Sequence, residues 1–121
     1  MRLIICDDDP VIRYLLEMVL GKRGGHDVVS VADPEDVSEA VIAHRPDLIV
    51  LDYLMPRRTG LEVVKELRAD PETAHVKVLF LTGRVEIADA ATLEALGVVG
   101  VIEKPFDIST LASRLSDLAG I

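Results

Sequence analysis

The chain has 121 residues, 50% of them hydrophobic, so we expect residues 1–121 to form one domain with a single core. Its 21 acidic and 13 basic residues give a net charge of −8, the opposite of what a protein needs to neutralise nucleic-acid phosphates, so direct contact with DNA or RNA is not expected. The apolar start is too short for a signal peptide or a membrane span, and the single cysteine falls in an apolar run, which together favour a cytoplasmic protein without disulfides.

Short apolar runs alternate along the chain with longer segments of helical periodicity. The runs are rich in Val, Ile and Leu and lack polar alternation, as expected for parallel strands buried on both faces. They span 3–6, 28–31, 48–51, 78–81 and 98–102. The spacing between them predicts five helices, with Val11, Leu15 and Met18 on the buried face of the first. This order predicts an α/β domain with a doubly wound, five-stranded parallel sheet.

Several residues mark where the helices begin and end. The pairs Asp9-Pro10 and Asp33-Pro34 each place a capping carboxylate before a proline that suits the first position of a helix. The pair Gly24-Gly25 is expected to close the first helix, and Gly97 the fourth. The fourth predicted helix, 86–96, is apolar around most of its circumference, which indicates deep burial or an interaction surface.

Polar residues follow the apolar runs where the strands are predicted to end. Asp7 and Asp8 follow the first run, Asp52 the third and Thr82 the fourth, while Lys104 follows the fifth. Ligands bind at the carboxyl edge of such a sheet, so these side chains would converge there if the first and third strands are neighbours.

Clustered carboxylates become protonated or bind a cation, and Mg²⁺ suits this ligand set. A carboxylate can also accept a phosphoryl group, which Lys and Thr donors would stabilise.

Four segments, taken in order, resemble the receiver domains of two-component signalling, and the resemblance covers the whole chain. They are IICDDDP, LIVLDYLMPRRTGLEVV around Asp52, FLTG at Thr82 and VIEKPF at Lys104. The resemblance implies a flavodoxin-like sheet with strand order 2-1-3-4-5. It also implies that a histidine kinase or phosphotransferase protein phosphorylates Asp52. Such a domain catalyses only its own phosphorylation and dephosphorylation, so it is not an enzyme acting on other substrates.

The resemblance further assigns a metal site and its ligands. Asp8 would bind Mg²⁺ directly, and Asp7 would contribute mainly through a water molecule. Asp52 and the backbone carbonyl of Leu54 would complete the protein's share of the metal ligands.

The same resemblance assigns the residues that would sense phosphorylation. Lys104 would pair with the phosphoryl oxygens and would be joined to Pro105 by a cis peptide. Thr82 would turn its hydroxyl onto the phosphoryl group and report phosphorylation to the surface. Many receivers have an aromatic switch residue where this chain has Val101, so the usual side-chain flip is absent or replaced.

In this family the fourth helix, fifth strand and fifth helix form the output face, which implies an unidentified output partner and a possible homodimer through these elements. Two positions of the family influence dephosphorylation, and here they are Leu54 and Arg84. Neither side chain suits the positioning of an attacking water, so we expect slow loss of the phosphoryl group.

Two alternatives compete with this interpretation. Residues 7–11 also fit the DxDx[TV] motif of haloacid-dehalogenase-type phosphatases, in which Asp7 would be the nucleophile. Such an enzyme needs further acidic metal ligands after the lysine, and only Asp107 follows closely. The second alternative is a pseudo-receiver, an interaction module that no longer accepts phosphate. All five key side chains are present, which argues against it.

Overall fold

A five-stranded parallel sheet forms the centre of the computed structural model, which describes residues 1–83 and 89–120. Its strands are β1 (Arg2–Cys6), β2 (Asp27–Val31), β3 (Leu48–Asp52), β4 (Lys77–Thr82) and β5 (Val98–Glu103). They are arranged in the order β2-β1-β3-β4-β5, which is the flavodoxin-like order expected from the sequence. This order makes β1 and β3 neighbours, with Cys6 paired to Leu51 at their carboxyl ends.

Helices follow the strands in the alternating order that the sequence predicts. They are α1 (Pro10–Leu16), α2 (Val37–His44), α3 (Gly60–Ala69), α4 (Ala90–Ala95) and α5 (Ile108–Ala119). A π-helical segment, Glu17–Arg23, continues α1, and a short 3-10 turn, Pro34–Asp36, precedes α2. A small antiparallel hairpin of Leu54–Met55 and Arg58–Thr59 lies between β3 and α3. Residues 86–88 of the predicted fourth helix lie outside the described residues.

The predicted caps are confirmed. The Asp9 carboxylate accepts a hydrogen bond from the Val11 N–H, and the Asp33 carboxylate accepts one from the Glu35 N–H. Gly97 follows α4 with φ of +74°, a backbone conformation that favours glycine.

The core consists of two hydrophobic clusters, one on each face of the sheet. Successive residues of a central strand belong alternately to one cluster and the other. Ile4 and Phe80 pack with residues of α2 and α3 in one cluster. Leu3 and Leu79 pack with residues of α1 and α5 in the other. Helices on both sides therefore bury β1, β3 and β4 almost completely, which fixes the direction of the side chains at their carboxyl ends.

Two predictions about burial were wrong. Val11 is 63% exposed, and the buried residues of this segment are Leu16, Val19 and Leu20. Apolar residues occur around most of this segment, and its π-helical part departs from the 3.6-residue period. A prediction from helical spacing therefore identified the wrong face as buried. The edge strands β2 and β5 are only partly buried, because each lacks a neighbouring strand on one side.

Over the described residues, no helix combines the length and the apolar character needed to cross a bilayer.

Candidate functional site

Three carboxylates converge at the carboxyl edge of the sheet, as the sequence predicts. Asp7 follows β1 and is 1% exposed, and Asp52 ends β3 and is 6% exposed. Asp8 is exposed beside them, and one carboxylate oxygen from each of the three residues lies within 4.8 Å of the others. Oxygen ligands at this spacing suit a hard divalent cation.

Lys104 brings a positive charge into this acidic pocket. Its Nζ lies 2.8 Å from Oδ2 of Asp7 and 3.5 Å from Oδ1 of Asp52. The backbone N–H of Lys104 donates to the carbonyl of Thr82 at 2.6 Å, so the end of β4 lies beside the lysine. Thr82 is buried, and the peptide between Lys104 and Pro105 is cis, as expected.

Several donors fix the position of Asp7. Its Oδ1 accepts the Asp9 N–H at 2.9 Å, while its Oδ2 accepts the Lys104 ammonium. Its backbone carbonyl accepts Nη1 of Arg13 at 2.7 Å. Sequence reasoning missed Arg13, for which the only signal was a basic residue early in the helix that follows the carboxylates.

The electrostatics of the pocket show a shortage of positive charge. Burial, together with the negative charge of Asp7, raises the pKa of Asp52 to about 7, although Lys104 opposes this shift. Partial burial alone would lower the pKa of Lys104, but its hydrogen bond to Asp7 and the charge of Asp52 outweigh that effect and raise it. Among the described residues, Lys104 is the positive charge in contact with these carboxylates and cannot neutralise all three, so the residues present fit a bound divalent cation.

Cys6 lies directly before the acidic residues but belongs to the core. It is fully buried, with its Sγ 3.7 Å from the sulfur of Met55. Burial and the nearby charge of Asp7 raise the pKa of its thiol to about 12. Because the thiolate is the nucleophilic form, the expected inert core thiol fits this environment.

The segment after Asp52 packs tightly against the end of β3. The N–H of Gly60 donates to the carbonyl of Tyr53 at 2.6 Å, which places the start of α3 against this strand. A Cβ on Gly60 would lie 3.0 Å from the carbonyl oxygen of Asp52 and 2.8 Å from the Phe80 ring. Leu54 lies in the hairpin and is 55% exposed. A metal-binding role for its carbonyl stays a prediction.

The remaining candidate residues lie away from the carboxylates or outside the described part of the chain. Val101 is half-buried in β5 and packs against the cluster that contains Phe80, and its role as a switch stays a prediction. Arg84 lies outside the described residues. Asp107 accepts hydrogen bonds from the backbone and the hydroxyl of Ser109, so it caps α5.

Comparison with known families gives one match across most of the chain. A family model described as the response regulator receiver domain matches residues 3–116.

Among curated proteins, the DNA-binding dual master transcriptional regulator RpaA of Synechocystis is 34% identical over 97% of this chain and 48% of its own length. The DNA-binding response regulator MtrA of Mycolicibacterium smegmatis is 33% identical over 94% of this chain and 48% of its own length. The chain therefore spans about half the length of these curated relatives.

Solved structures resemble the fold along nearly its whole length. The chemotaxis protein CheY4 of Vibrio cholerae superposes with a TM-score of 0.85 at 28% identity, covering 97% of each chain. A putative response regulator from Chloroflexus aurantiacus gives a TM-score of 0.84 at 28% identity, covering 99% of this chain and 98% of its own.

Proposed function

Because this chain belongs to the response regulator receiver domain family, we propose that it accepts a phosphoryl group on Asp52 from a histidine kinase or a phosphotransferase protein. The observation that carries the proposal is the convergence of the buried Asp52 with Asp7, Asp8 and Lys104 in one pocket. We take residues 1–121 as one receiver domain.

The proposed transfer uses the Asp52 carboxylate as the nucleophile. One of its oxygens forms a bond to phosphorus while the phosphorus–nitrogen bond of a phosphohistidine breaks and the imidazole leaves. The Lys104 ammonium, already 3.5 Å from Asp52, donates to the phosphoryl oxygens. The hydroxyl of Thr82, one residue beyond the partner of Asp52 in β4, is a second donor.

We propose Mg²⁺ as the cation of this pocket, held by Asp7, Asp8, Asp52 and the carbonyl of Leu54. When bound, it supplies positive charge beside the transferred group and favours the ionised form of Asp52. The close oxygens of the three aspartates support this assignment.

Output is proposed to pass from Thr82 to the surface formed by α4, β5 and α5. Thr82 and Lys104 are already joined through the backbone, and Val101 in β5 is half-buried against the core. A change at Thr82 is therefore expected to alter how β5 packs. We propose that phosphorylation favours a homodimer or the binding of an output partner on this surface.

The family assignment sets aside the phosphatase alternative. Asp107, the acidic residue closest after the lysine, caps α5. Two relatives are described as DNA-binding, but the net charge of −8 leads us to propose no direct DNA contact for this chain. A cytoplasmic site of action is part of the proposal.

The proposal is tested by incubating the protein with Mg²⁺ and acetyl phosphate and measuring its intact mass. We expect addition of one phosphoryl group that EDTA prevents and that the Asp52→Asn variant does not acquire. A protein that takes no phosphoryl group from acetyl phosphate or from a set of histidine kinases would instead be a pseudo-receiver.

A further inference from the structure

The hairpin between β3 and α3 has a strained turn and little support of its own. Leu54 pairs with Thr59 and Met55 with Arg58, so each strand has only two residues. An isolated two-stranded ribbon of this size is not stable in water. Arg57, in the turn, has φ of +71°, a conformation that costs a non-glycine residue free energy. Contacts with the rest of the protein must therefore hold the hairpin.

Arg57 makes one of these contacts with the segment before α2. Its Nη2 lies 2.7 Å from Oδ2 of Asp33. The other carboxylate oxygen of Asp33 accepts the Glu35 N–H, so this acceptor is fixed by its own capping role. The backbone hydrogen bond from Glu35 and the contact with Arg57 both lower the pKa of Asp33. A fixed carboxylate thus holds the turn of the hairpin.

Arg58 makes the second set of contacts, mainly with α3. Its Nη2 lies 2.5 Å from Oε2 of Glu66 and donates to the carbonyl of Glu62 at 3.3 Å. Its Nη1 lies 4.0 Å from Oε2 of Glu35. The side chain is 16% exposed, compared with 64% for Arg57. The two arginines therefore connect the hairpin to two separate elements of the fold.

We propose that Arg57 and Arg58 are positioning residues for the metal site, because they hold the hairpin in which Leu54 lies two residues after Asp52. This inference rests on the Mg²⁺ site of the proposed function and adds two residues that do not touch the metal. The Arg57–Asp33 pair is largely exposed and Glu66, the partner of Arg58, is 47% exposed, so we expect both pairs to contribute little to global stability. Removing these contacts should therefore loosen the hairpin while the sheet and its helices remain folded.

The direction in which Mg²⁺ affinity changes distinguishes an arginine that positions the hairpin from one that acts only through its charge. An arginine near a divalent cation repels it, so removal of the charge alone would tighten Mg²⁺ binding. Loss of a positioned ligand would weaken Mg²⁺ binding. Removal of residues that support metal ligands has the same effect in other proteins. The two explanations therefore predict opposite changes in affinity.

The test uses Arg57→Asn and Arg58→Met in the full chain, with Arg2→Met as the matched control. Asparagine tolerates positive φ, and methionine keeps much of the apolar stem of arginine. Arg2 also pairs with an aspartate, Asp27. Both residues lie at the amino ends of their strands, opposite the carboxyl ends that form the acidic pocket. Mg²⁺ affinity is measured by titration followed by amide NMR shifts, and the unfolding midpoint is measured in EDTA.

We expect Mg²⁺ to bind about tenfold more weakly to Arg57→Asn and Arg58→Met, at the low end for outer-shell partners. The unfolding midpoints should change little, and Arg2→Met should bind Mg²⁺ as the unmodified chain does. Asparagine at position 33 can still cap the following turn. In the double variant, Asp33→Asn should therefore cause no further loss of Mg²⁺ affinity beyond that of Arg57→Asn. Unchanged or tighter Mg²⁺ binding in both arginine variants would overturn this inference but not the proposed function. Absence of Mg²⁺ binding by the unmodified chain would overturn the proposed function and this inference with it.

Discussion

The Nζ atom of Lys104 donates a hydrogen bond of 2.8 Å to Oδ2 of Asp7, joining residues that are 97 positions apart in the chain. The same ammonium lies farther from Asp52, at 3.5 Å. The lysine therefore neutralises a carboxylate that we assign to the metal site. Bound Mg²⁺ would compete with Lys104 for Asp7 and leave the lysine available for a phosphoryl group on Asp52.

Removing the lysine charge should reveal this competition. We expect Lys104→Met to bind Mg²⁺ about five- to tenfold more tightly, because a nearby like charge is lost. The same variant should be less stable in EDTA, since the buried Asp7 loses its partner, and Mg²⁺ should restore much of that stability. Calorimetric titration and thermal unfolding measure both effects. Weaker Mg²⁺ binding by Lys104→Met would contradict the competition.

The raised pKa of Asp52 predicts how stability depends on pH. Its pKa is about 7 in the folded protein against 3.8 for the ordinary side chain, so the folded state holds the proton more tightly. Without Mg²⁺, the contribution of Asp52 to stability should therefore fall as pH rises from about 4 to about 7. Asp52→Asn should remove this loss and stabilise the protein at about pH 8 by at most ~4 kcal/mol.

Urea unfolding in EDTA across this pH range measures the gain, with Asp117→Asn as an exposed control. The gain from Asp52→Asn should become small near pH 4, where the folded aspartate is protonated and the unfolded one is only about half ionised. A gain that is the same at pH 4 and pH 8 would show that the ionisation of Asp52 is not its cause.

The close approach of α3 to β3 predicts that Gly60 does not tolerate a side chain. A Cβ there would meet the Phe80 ring at 2.8 Å and the Asp52 carbonyl oxygen at 3.0 Å. Gly60→Ala should destabilise the protein by ~1–3 kcal/mol, as other overpacked sites do. Gly83→Ala is the control, because no atom of the described residues lies within 4 Å of its added Cβ. Equal denaturation midpoints for the two variants would refute this packing argument.

The environment of Cys6 predicts a protected thiol. Burial and a pKa of about 12 leave very little accessible thiolate at about pH 8, so iodoacetamide should modify the folded protein far more slowly than the urea-unfolded chain. Mass spectrometry over time measures both rates. Fast modification of the folded protein would mean that this part of the core opens readily.

The sequence predicted the sheet and the centre of the site because both depend on local signals. Uninterrupted apolar runs indicated strands buried on both faces, and the polar residues at their ends indicated one shared edge. Because parallel strands end at the same edge, the sequence placed Asp7, Asp52 and Lys104 at that edge, but their convergence still required the first and third strands to be neighbours. The family resemblance added the strand order.

The features that the sequence did not predict depend on tertiary placement. Val11 has the spacing of a buried helical residue but lies beyond the core, and the π-helical continuation of α1 has no local signal. The contacts of Arg13 with Asp7, and of Arg57 with Asp33, join segments whose relative positions only the fold defines. An exposed arginine in a helix or a loop is solvated by default, so composition alone could not identify these pairs.

We propose that Asp52, and not Asp7, accepts the phosphoryl group. After phosphorylation with acetyl phosphate and Mg²⁺, borohydride reduction converts an aspartyl phosphate into homoserine, which peptide mass spectrometry locates. We predict homoserine at position 52, absent when EDTA is present and absent in Asp52→Asn. Homoserine at position 7, or phosphorylation that persists in Asp52→Asn, would contradict the account.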